Sequence, residues 1–502
     1  MAKICLCLTG KTLARNLEIL ENYRKYIDVA ELRVDLLDPD ERFLIRRFPE
    51  MAGIPVILTI RRDVDGGVFD SGEGSRVHLF SRGLAFAEAD RRKNFAYMDL
   101  EEDLNVPSLE EAARTFSTRI IRSFHNIRGM ESDIAGKIKS LVRAGDELPK
   151  VALAPQSIGD VLSIFQAARE TAGLDKILLG MGPFGHCTRI LAEKLGSYMT
   201  YTSAIGEWDS PPAAPGQLDP VEMAEFYRFH TITDATKIFA VTGYPLKVSD
   251  SPKIFNTIFA LENANAVYLP IPSDNLSAFM SLADIIGLSG VSVTVPYKEE
   301  VLHHCAHKAA ELEDIGACNT IVRFLHGWLG VNTDTKGFSE SLLAFIKERS
   351  LKGKKITVIG AGGAARAVLW ELHRQKARVL VLNRNPSRAR DLAALYRFRW
   401  GGLDGQGCAL MEKYSQIIVQ ATSAGMEGHE MRDPLELYKF RGNEVVMDLI
   451  YRPEMTRFLS RAAAAGCRVI NGRNMLLRQA QYQYKEFMGK ELPDQILDRI
   501  VF

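Results

Sequence analysis

Several features that place a chain in a class at first sight are missing from these 502 residues. No apolar run reaches the length of a membrane-spanning helix, and the start Met-Ala-Lys-Ile-Cys lacks the layout of a signal peptide. The charges also balance, with a formal net charge of +1, which argues against a nucleic-acid role driven by bulk charge. We therefore expect neither a membrane nor a nucleic acid among the partners of this chain.

Cysteine is scarce and has no pattern. Seven cysteines are scattered from position 5 to position 467, an odd number without the spacing of a disulfide framework or of a zinc site. We predict a reduced, cytoplasmic protein that holds no metal. The sequence leaves the oligomeric state open.

The length is too great for one hydrophobic core and predicts about three domains. The first 220 residues contain eight β-like segments, separated by stretches of which several have helical periodicity. The segments are Ile4–Leu8, Ala30–Asp35, Val56–Ile60, Ala96–Leu100, Arg119–Ser123, Lys150–Ala154, Ile177–Gly180 and Met199–Ser203. This alternation predicts a (β/α)8 barrel, with a doubly wound sheet as the alternative.

Charged and reactive residues collect where these predicted strands end, the place of chemistry in such barrels. They are Glu31, Arg33, Arg61, Glu101, His125, Lys150 and Arg189. Lys150 stands in an apolar segment, where burial favours a neutral amine that can form a Schiff base with a carbonyl. His125, on the neighbouring strand, could move protons. The alternatives are a lysine that reaches solvent and, for Glu101, a carboxylate that pairs with an arginine.

Motifs of this half resemble type I 3-dehydroquinate dehydratase, in that family's order and over nearly all of residues 1–220. They are Glu31–Asp35, Thr59–Arg61, Ser123–Asn126, Pro149–Ala152 and Ala214–Gln217. The resemblance implies a barrel in which Lys150 forms an imine with the ketone of 3-dehydroquinate while His125 moves the protons. It also implies a set of residues that hold the substrate: Glu31, Arg33, Arg61, Arg189 and Gln217. Asp65 and Ala213 depart from the family, which often has glutamate and serine there.

A glycine-rich turn is the central feature of the second half. The β-branched run Ile356–Ile359 ends at Gly360, and an alanine-rich helical pattern follows. Gly360, Gly362 and Ala365 fit G-x-G-x-x-[G/A], the turn that binds the pyrophosphate of a dinucleotide. A structural turn of the same shape is the alternative.

The next predicted strand, Arg378–Asn383, indicates which dinucleotide fits. It ends without the acid that binds the ribose hydroxyl of NAD, and Arg384 and Arg388 follow it. Guanidinium groups match the oxygens of a phosphate, so the sequence favours NADP over NAD. Solvated surface arginines are the alternative.

A separate αβ pattern precedes this turn, with predicted strands at 237–243, 266–269 and 290–295. We expect the barrel over 1–225, a substrate domain over 237–345 that residues 475–502 complete, and a nucleotide domain over 350–474. Lys298 and Asp334, if brought together, could protonate a ketone oxygen as hydride arrives. Helix capping is the alternative for Asp334, Ser249 and Ser251.

Residues 237–502 also resemble shikimate dehydrogenase. The matching motifs are Val293–Lys298, Gly316–Thr320, Asn332–Asp334, Gly360–Gly363, Asn383–Arg384, Ala421–Met426, Asp448–Tyr451 and Gln479. The resemblance implies that Lys298 and Asp334 are the catalytic pair. It implies a substrate site of Ser249, Ser251, Thr294, Asn319, Asp334, Tyr451 and Gln479. It implies an NADP site of Gly360, Ala361, Gly362, Gly363, Ala364, Asn383, Arg384, Arg388, Leu449 and Gly472.

Three positions depart from this second family. Asp250 stands where many relatives have lysine, and Ser292 and Gln420 replace frequent asparagines. Together the two resemblances imply a bifunctional enzyme of the shikimate pathway that converts 3-dehydroquinate to 3-dehydroshikimate and then, with NADPH, to shikimate. The alternatives are a catabolic quinate pair, a Schiff-base aldolase fused to an oxidoreductase, and a non-catalytic metabolite sensor.

Overall fold

The computed structural model describes residues 1–85, 88–205, 213–246, 249–428 and 431–500. The chain divides into two compact units, one of residues 1–237 and 265–287, the other of residues 238–264 and 288–502. The boundaries of three domains given above stay a prediction. In the part of the chain that is described, no helix is both long and apolar enough to cross a membrane.

Eight parallel strands form the barrel of the first unit. They are β1 (Lys3–Leu8), β2 (Val29–Arg33), β3 (Val56–Thr59), β4 (Tyr97–Glu101), β5 (Arg119–Asn126), β6 (Leu148–Leu153), β7 (Ile177–Gly180) and β8 (Met199–Ser203). Their order in the sheet is β7-β6-β5-β4-β3-β2-β1-β8, and a parallel bridge between Lys176 and Ser197 brings the two outer strands together. The predicted (β/α)8 barrel is confirmed.

Helices alternate with these strands. They are α1 (Leu13–Tyr23), α2 (Phe48–Ala52), α3 (Glu73–Leu84), α4 (Pro107–Thr115), α5 (Ile134–Ser140), α6 (Ile158–Glu170) and α7 (Gly182–Ile190). The sequence specifies the start of α6 with a capping box, in which Ser157 accepts from the Asp160 N–H and Asp160 accepts from the Ser157 N–H. This cap sets the end of the loop that leaves β6.

Side chains of the barrel strands alternate between the inside and the outside, so the inner ones stack in layers. The deeper inner layer is apolar and includes Cys5, Val29, Ile57, Tyr97, Ile121, Leu148, Ile177 and Met199. Two residues further along each strand, the inner positions become polar at Glu31, Asp99 and Lys150. The polar inner side chains therefore lie at the carboxyl ends of the strands, and the apolar layer lies deeper in the barrel.

The next part of the chain contains β9 (Lys237–Thr242), α8 (Ser251–Leu261), β10 (Ala266–Pro270), α9 (Leu276–Ile286), β11 (Leu288–Val293), β12 (His307–Lys308), α10 (Leu312–Ile315), β13 (Thr320–Phe324), β14 (Gly327–Val331) and α11 (Asp334–Ile346). β10 and α9 belong to the first unit. In the second unit the strands follow the order β9-β11-β13-β14-β12. β9 and β11 are parallel, so the loops that follow them leave the same edge.

The last part contains β15 (Lys355–Ile359), α12 (Gly363–Arg374), β16 (Arg378–Asn383), α13 (Pro386–Leu395), β17 (Arg399–Gly402), α14 (Gly405–Met411), β18 (Ile417–Gln420), β19 (Val445–Asp448), α15 (Arg457–Ala464), β20 (Arg468–Ile470), α16 (Arg473–Met488) and α17 (Asp494–Leu497). The strands are parallel in the order β17-β16-β15-β18-β19-β20, which is the Rossmann order. The Rossmann-type prediction is confirmed.

Candidate active sites

A cavity of about 530 Å³ opens at the carboxyl ends of the barrel strands. Its wall contains every residue predicted for the first site, namely Glu31, Arg33, Arg61, His125, Lys150, Arg189 and Gln217. Parallel strands of a barrel end at one rim, and inner positions recur every second residue, so residues far apart in the sequence meet here.

Lys150 lies in the middle of β6 and is 4% exposed, so it does not reach solvent. Its Nζ donates a hydrogen bond to Asp99 Oδ2 at 2.9 Å and lies 3.9 Å from Glu31 Oε1. The ring centre of Tyr201 is 4.1 Å away. Two carboxylates and an aromatic face thus balance the charge of a buried ammonium group.

Asp99 is the centre of these polar contacts, and sequence reasoning missed it. It is 1% exposed, and besides the hydrogen bond from the Lys150 amine it accepts one from Ser123 Oγ at 2.6 Å and forms an ion pair with Arg61 at 2.9 Å. Burial alone would raise the pKa of this carboxyl, but the charges of Arg61 and Lys150 outweigh burial and lower it. Asp99 is therefore ionised at neutral pH.

The signal for Asp99 was present in β4, whose alternation turns Asp99 and Glu101 to the same inner face. Glu101 pairs with Arg61 at 2.7 Å and with Arg76 at 2.6 Å. It is therefore a paired carboxylate, as one of the two interpretations had it.

The arginines in the cavity wall differ in their counter-ions. Arg33 donates two hydrogen bonds to Asp35, at 2.9 and 2.6 Å, and Arg61 is held by the two acids of β4. Both guanidinium groups are thus already neutralised within the protein, which limits what they add to the binding of an anion.

Arg189, in contrast, pairs with no carboxylate among the residues that the structure describes, although it is only 1% exposed. Its guanidinium donates long hydrogen bonds to the carbonyl oxygens of Tyr201 at 3.3 Å and Pro215 at 3.4 Å, and its Nε has no partner there. Burial lowers its pKa to about 10. A buried, charged guanidinium group that pairs with no carboxylate of the described residues is suited to bind the carboxylate of a ligand.

His125 stands near the end of β5, beside the strand that carries Lys150. Burial, together with the positive charges of Arg61 and Lys150, holds the pKa of this imidazole well below its ordinary value. The ring is therefore neutral at pH 7. Within the described ranges its Nδ1 has no hydrogen-bond partner. A neutral imidazole in the same cavity as an amine can accept a proton.

Gln217 lies in the wall of the same cavity. Its Nε2 donates to Cys7 Sγ at 3.3 Å, and its Oε1 accepts hydrogen bonds from the Ser203 hydroxyl and from the Ala214 N–H at 3.1 Å. The side chain is thus fixed at the cavity wall, in contact with β1 and β8.

Lys298 and Asp334 meet in the second unit. Lys298 Nζ donates to Asp334 Oδ2 at 2.5 Å, and the two side chains are 15% and 8% exposed. Asp334 is the first residue of α11, and Thr333 occupies its cap position. Thr294 directly follows β11, on the same loop as the lysine. A charged amine that reaches the surface and is held by a buried carboxylate can deliver a proton to a bound oxygen.

Amide side chains fix the other face of Asp334. Asn319 Nδ2 donates to Asp334 Oδ1 at 2.9 Å, to Thr333 Oγ1 at 2.9 Å and to Gln479 Oε1 at 3.2 Å. Asn319 Oδ1 accepts from the Thr333 N–H at 2.9 Å. Gln479 comes from α16, so the last long helix contributes to this site.

The glycine-rich turn, Gly360–Ala364, lies against the stem of Lys298, since a Cβ at Gly363 would stand 2.8 Å from Lys298 Cβ. Gly360 has φ 118°, a conformation that residues with a side chain rarely adopt. No side chain caps α12 after Gly362, and a Cβ at Gly362 would meet nothing within 4 Å. The first N–H groups of α12 are thus open to a phosphate, so these residues fit a dinucleotide.

A second cavity, of about 650 Å³, lies where β16 ends. Its wall contains Asn383 and Arg384, but Arg388, which is exposed on α13, is not part of it. Leu449 and Gly472 lie in contact, because a Cβ at Gly472 would stand 2.0 Å from the Leu449 carbonyl oxygen. The wall has no carboxylate at the end of β16 and has one arginine there, which suits a ribose phosphate.

The serine turn before α8 contacts the loop after β19. The Tyr451 hydroxyl lies close to the Ser249 hydroxyl and to the backbone of Asp250, and burial raises the pKa of Tyr451. The Ser251 N–H donates to Ser249 Oγ at 3.3 Å. Asp250 is bound by Arg452, a residue that the sequence interpretation did not name, with one contact at 2.9 Å. Ser249 Oγ thus accepts from the first N–H of α8, whereas the side chain of Asp250, at the cap position, makes no capping hydrogen bond.

Known proteins share these features. Residues 4–234 match the family model of type I 3-dehydroquinase, residues 241–321 that of the shikimate dehydrogenase substrate binding domain, and residues 342–427 that of shikimate / quinate 5-dehydrogenase. The shikimate dehydrogenase (NADP(+)) of Thermococcus kodakarensis is 35% identical over 53% of this chain and 95% of that protein. This chain belongs to the shikimate dehydrogenase family. In front of its dehydrogenase half it carries a type I 3-dehydroquinase domain.

Two further comparisons span different lengths of the chain. The chloroplastic bifunctional 3-dehydroquinate dehydratase/shikimate dehydrogenase of Arabidopsis thaliana is 28% identical over 94% of this chain and 80% of that protein. The crystal structure of shikimate dehydrogenase from Aquifex aeolicus has a TM-score of 0.49 and 32% identity, over 53% of this chain and 98% of that one.

In the dehydroquinase half, the two residues that depart from the family pattern form hydrogen bonds within the protein. Asp65 lies in the cavity wall, and its carboxylate accepts a hydrogen bond from Arg62 Nε at 2.7 Å. The Ala213 N–H donates to the Ser203 hydroxyl at 3.1 Å. The charge of Asp65 is thus neutralised by Arg62, and the hydroxyl group that contacts Ala213 comes from Ser203 on β8.

Two departures of the dehydrogenase half are buried and satisfied. Ser292 Oγ donates to Gln483 Oε1 at 3.0 Å, and the Gln420 amide donates to the carbonyl oxygens of Thr422 at 3.2 Å and Ala424 at 3.1 Å. These substitutions support the loops of the site, and neither disturbs the contact between Lys298 and Asp334.

Proposed function

We propose that this bifunctional enzyme dehydrates 3-dehydroquinate to 3-dehydroshikimate in the barrel and reduces that product to shikimate with NADPH in the second unit. One observation carries the first reaction. The amine of Lys150 shares a cavity with a neutral imidazole and with Arg189, a cation without a carboxylate among the described residues. A ketone substrate with its own carboxylate satisfies all three.

The dehydration follows from these three groups. His125 takes the proton that Lys150 must lose, and the free amine then adds to the C3 ketone, with loss of water, to form an imine. His125, neutral again, removes a proton from C2, and the electron pair moves toward the imine nitrogen. The C1 hydroxyl leaves as water with the proton from His125, and a second water hydrolyses the imine to release the product.

Asp99 supports the charge of this intermediate without contact with the substrate carbons. A protonated imine keeps the positive charge at the position of the Lys150 nitrogen, 2.9 Å from the Asp99 carboxylate. The same pairing that neutralises the resting ammonium therefore also stabilises the iminium, which draws electrons from C2. Glu31, 3.9 Å from that nitrogen, adds to the effect.

The reduction uses Lys298 and Asp334. NADPH, when bound at the turn of 360–364 and at Arg384, supplies the hydride. Lys298 donates a proton to the oxygen of the ketone, and Asp334, held by Asn319, keeps the ammonium group in position. Because Lys298 is partly exposed, a proton from solvent restores the ammonium group after each turnover. The Ser249 and Tyr451 hydroxyls lie near the loops that carry this pair and suit the polar substituents of the substrate.

Borohydride reduction in the presence of 3-dehydroquinate, followed by peptide mass mapping, tests the imine. We expect the mass of a reduced adduct on Lys150. Lys176 is a matched internal control, since it is 1% exposed in the same barrel, yet its amine donates to the Thr171 carbonyl at 3.0 Å. An adduct on Lys176, or turnover without any adduct, would contradict the proposal.

Identification of the product separates this function from an aldolase barrel, because only carbon–carbon cleavage yields two carbon fragments from one substrate. Comparison of shikimate with quinate, and of NADP with NAD, separates the biosynthetic from the catabolic pair. A cytoplasmic location stays a prediction from the seven free cysteines.

A further inference from the structure

The ion pair of Asp250 and Arg452 takes no part in the steps described above. Asp250 stands between the two serines of the turn before α8 and is 4% exposed. It accepts a hydrogen bond from Arg452 Nε at 2.9 Å and a second one from Arg452 Nη2. The Arg452 side chain is 42% exposed, so the acid is buried while its cation reaches the surface.

Asp250 fixes the position of Arg452 but does not use all of its hydrogen-bond donors. A guanidinium group carries five N–H donors, and Asp250 takes two of them. In the described ranges no acceptor binds Nη1. A planar fork with one edge fixed by a buried carboxylate presents its other edge in a defined direction, which suits a second carboxylate.

The surroundings of Arg452 place it near the substrate loops. Tyr451 precedes it, and the Tyr451 hydroxyl lies close to the Ser249 side chain. The serine turn follows β9, and the loop with Lys298 follows β11, and these two strands are parallel neighbours that end at one edge. A ligand whose ketone lies at Lys298 therefore has the serine turn beside it.

We propose that Arg452, oriented by Asp250, binds the carboxylate of the substrate in the dehydrogenase site. The substrate has one carboxylate, at the side of the ring away from the ketone, and the chain offers hydroxyl groups and this guanidinium beside the serine turn. Asp250 does not repel the substrate carboxylate, because Arg452 neutralises the charge of Asp250. The inference rests on the proposed function, since it concerns the same substrate. Asp250 acts as a positioning residue.

Kinetics with shikimate and with its uncharged methyl ester, at saturating NADP, test this role. In Arg452→Ala we expect the KM for shikimate to rise about tenfold or more, the usual effect of losing a charge-assisted hydrogen bond. The KM for the ester should change less than about twofold, and kcat only slightly, because the guanidinium meets a group that does not react. An equal rise for acid and ester would overturn the proposal in favour of a purely structural pair.

Further variants separate recognition from folding. Arg452→Ala leaves a buried carboxylate without its cation, so Arg452→Lys and the double variant Asp250→Ala/Arg452→Ala are measured beside it. Both should lose the preference for the acid, Arg452→Lys only in part because lysine has no fork. Asp250→Ala alone should lower that preference less than Arg452→Ala. A double variant that keeps the full preference would overturn the proposal.

Arg441→Ala is the matched control, because Arg441 is an exposed arginine that pairs with Glu412 at 3.2 Å in the same unit. It should leave both KM values as they are. If the unchanged protein fails to oxidise shikimate, the proposed function is wrong. If it is active and Arg452→Ala keeps its ratio of the two KM values, only the role of Arg452 is wrong.

Discussion

Each half of the chain places a lysine against an aspartate, but the two pairs lie in different surroundings. Lys150 and Asp99, 2.9 Å apart, are both buried, and Asp99 also binds Arg61 and Ser123. In the second pair, 2.5 Å apart, Asp334 is buried but Lys298 is 15% exposed, and the neutral amide of Asn319 holds the carboxylate. The first lysine must become a nucleophile inside a closed polar network, whereas the second must hold and deliver a proton.

The difference shows how one pair of residue types performs two kinds of chemistry. A neutral imidazole lies in the cavity of Lys150, so a proton acceptor is available when the amine loses its charge. The described residues around Lys298 that contact its partner are Asn319 and Asn332, which neither add nor remove charge. The neighbours, more than the pair itself, determine the role.

Replacement of each lysine by methionine should give the largest effects and separate the two reactions. Lys150→Met removes the nucleophile and should lower dehydratase turnover by about 10⁴-fold or more, while the dehydrogenase keeps its activity. Lys298→Met should lower dehydrogenase turnover by about 10²- to 10⁴-fold and leave the dehydratase intact. Assays of both reactions on both variants are the measurement, and loss of the two activities together would break the comparison.

Replacement of each aspartate by asparagine should separate the pair with a buried lysine from the pair with a partly exposed lysine. Asp99→Asn should lower dehydratase kcat by about 10²-fold and cost about 3 kcal/mol, since it leaves two buried cations short of a counter-charge. Asp334→Asn should lower dehydrogenase activity with a loss of only about 1 kcal/mol, because Lys298 reaches water. The urea concentration at which each activity disappears is the measurement. Equal losses of stability would show that burial does not distinguish the pairs.

The dehydratase should keep its activity on the acid side of its pH profile. The folded-state pKa of His125 lies below its unfolded value, so the imidazole stays a neutral base below about pH 6.5. Dehydratase kcat/KM should therefore hold as the pH falls through that value. Over the same range the unfolded chain takes up a proton that the native protein does not, so stability is lost as the pH falls. An acid limb with a midpoint at or above about 6.5 would contradict this environment for His125.

Reversal of charge at the two arginines after β16 should give the smallest effects. Arg384→Asp should raise the KM for NADPH about tenfold with little change in kcat, because Arg384 lies in the cavity wall. Arg388→Asp should change that KM by less than about threefold, since Arg388 is outside the wall and its charge is screened by solvent. Equal effects would mean that both arginines face the nucleotide, and an unchanged KM in Arg384→Asp would remove it from the site.

Residues at strand ends were predictable because the rule that places them is local. Once a barrel is inferred, an inner position near the end of a parallel strand faces the common rim, and this placed His125 and Lys150 in one cavity. The same alternation pointed to Asp99, but a count of strand-end charges selected Glu101 and passed over the acid two residues earlier. Here the signal was in the sequence and was not used.

The role of Arg452 was not accessible in this way. It follows Tyr451 in a loop after β19, while Asp250 lies 202 residues earlier, before α8. Neither residue has a periodic or motif-based signal that links it to the other. Viewed alone, Asp250 predicted a loss of positive charge near an anion, whereas the folded chain neutralises it with a guanidinium.

The sequence by itself determined the order of strands and helices, the type of both folds and the residues that meet at each strand edge, because alternation, glycine turns and caps act over a few positions. Only the tertiary structure decided which charges are free. Arg33, Arg61 and Arg189 are the same residue type at one rim, yet two have acids and the third has none among the described residues. Arg33 pairs with an acid two residues along the chain, but the acids of Arg61 come from β4, so their distances depend on how the barrel closes.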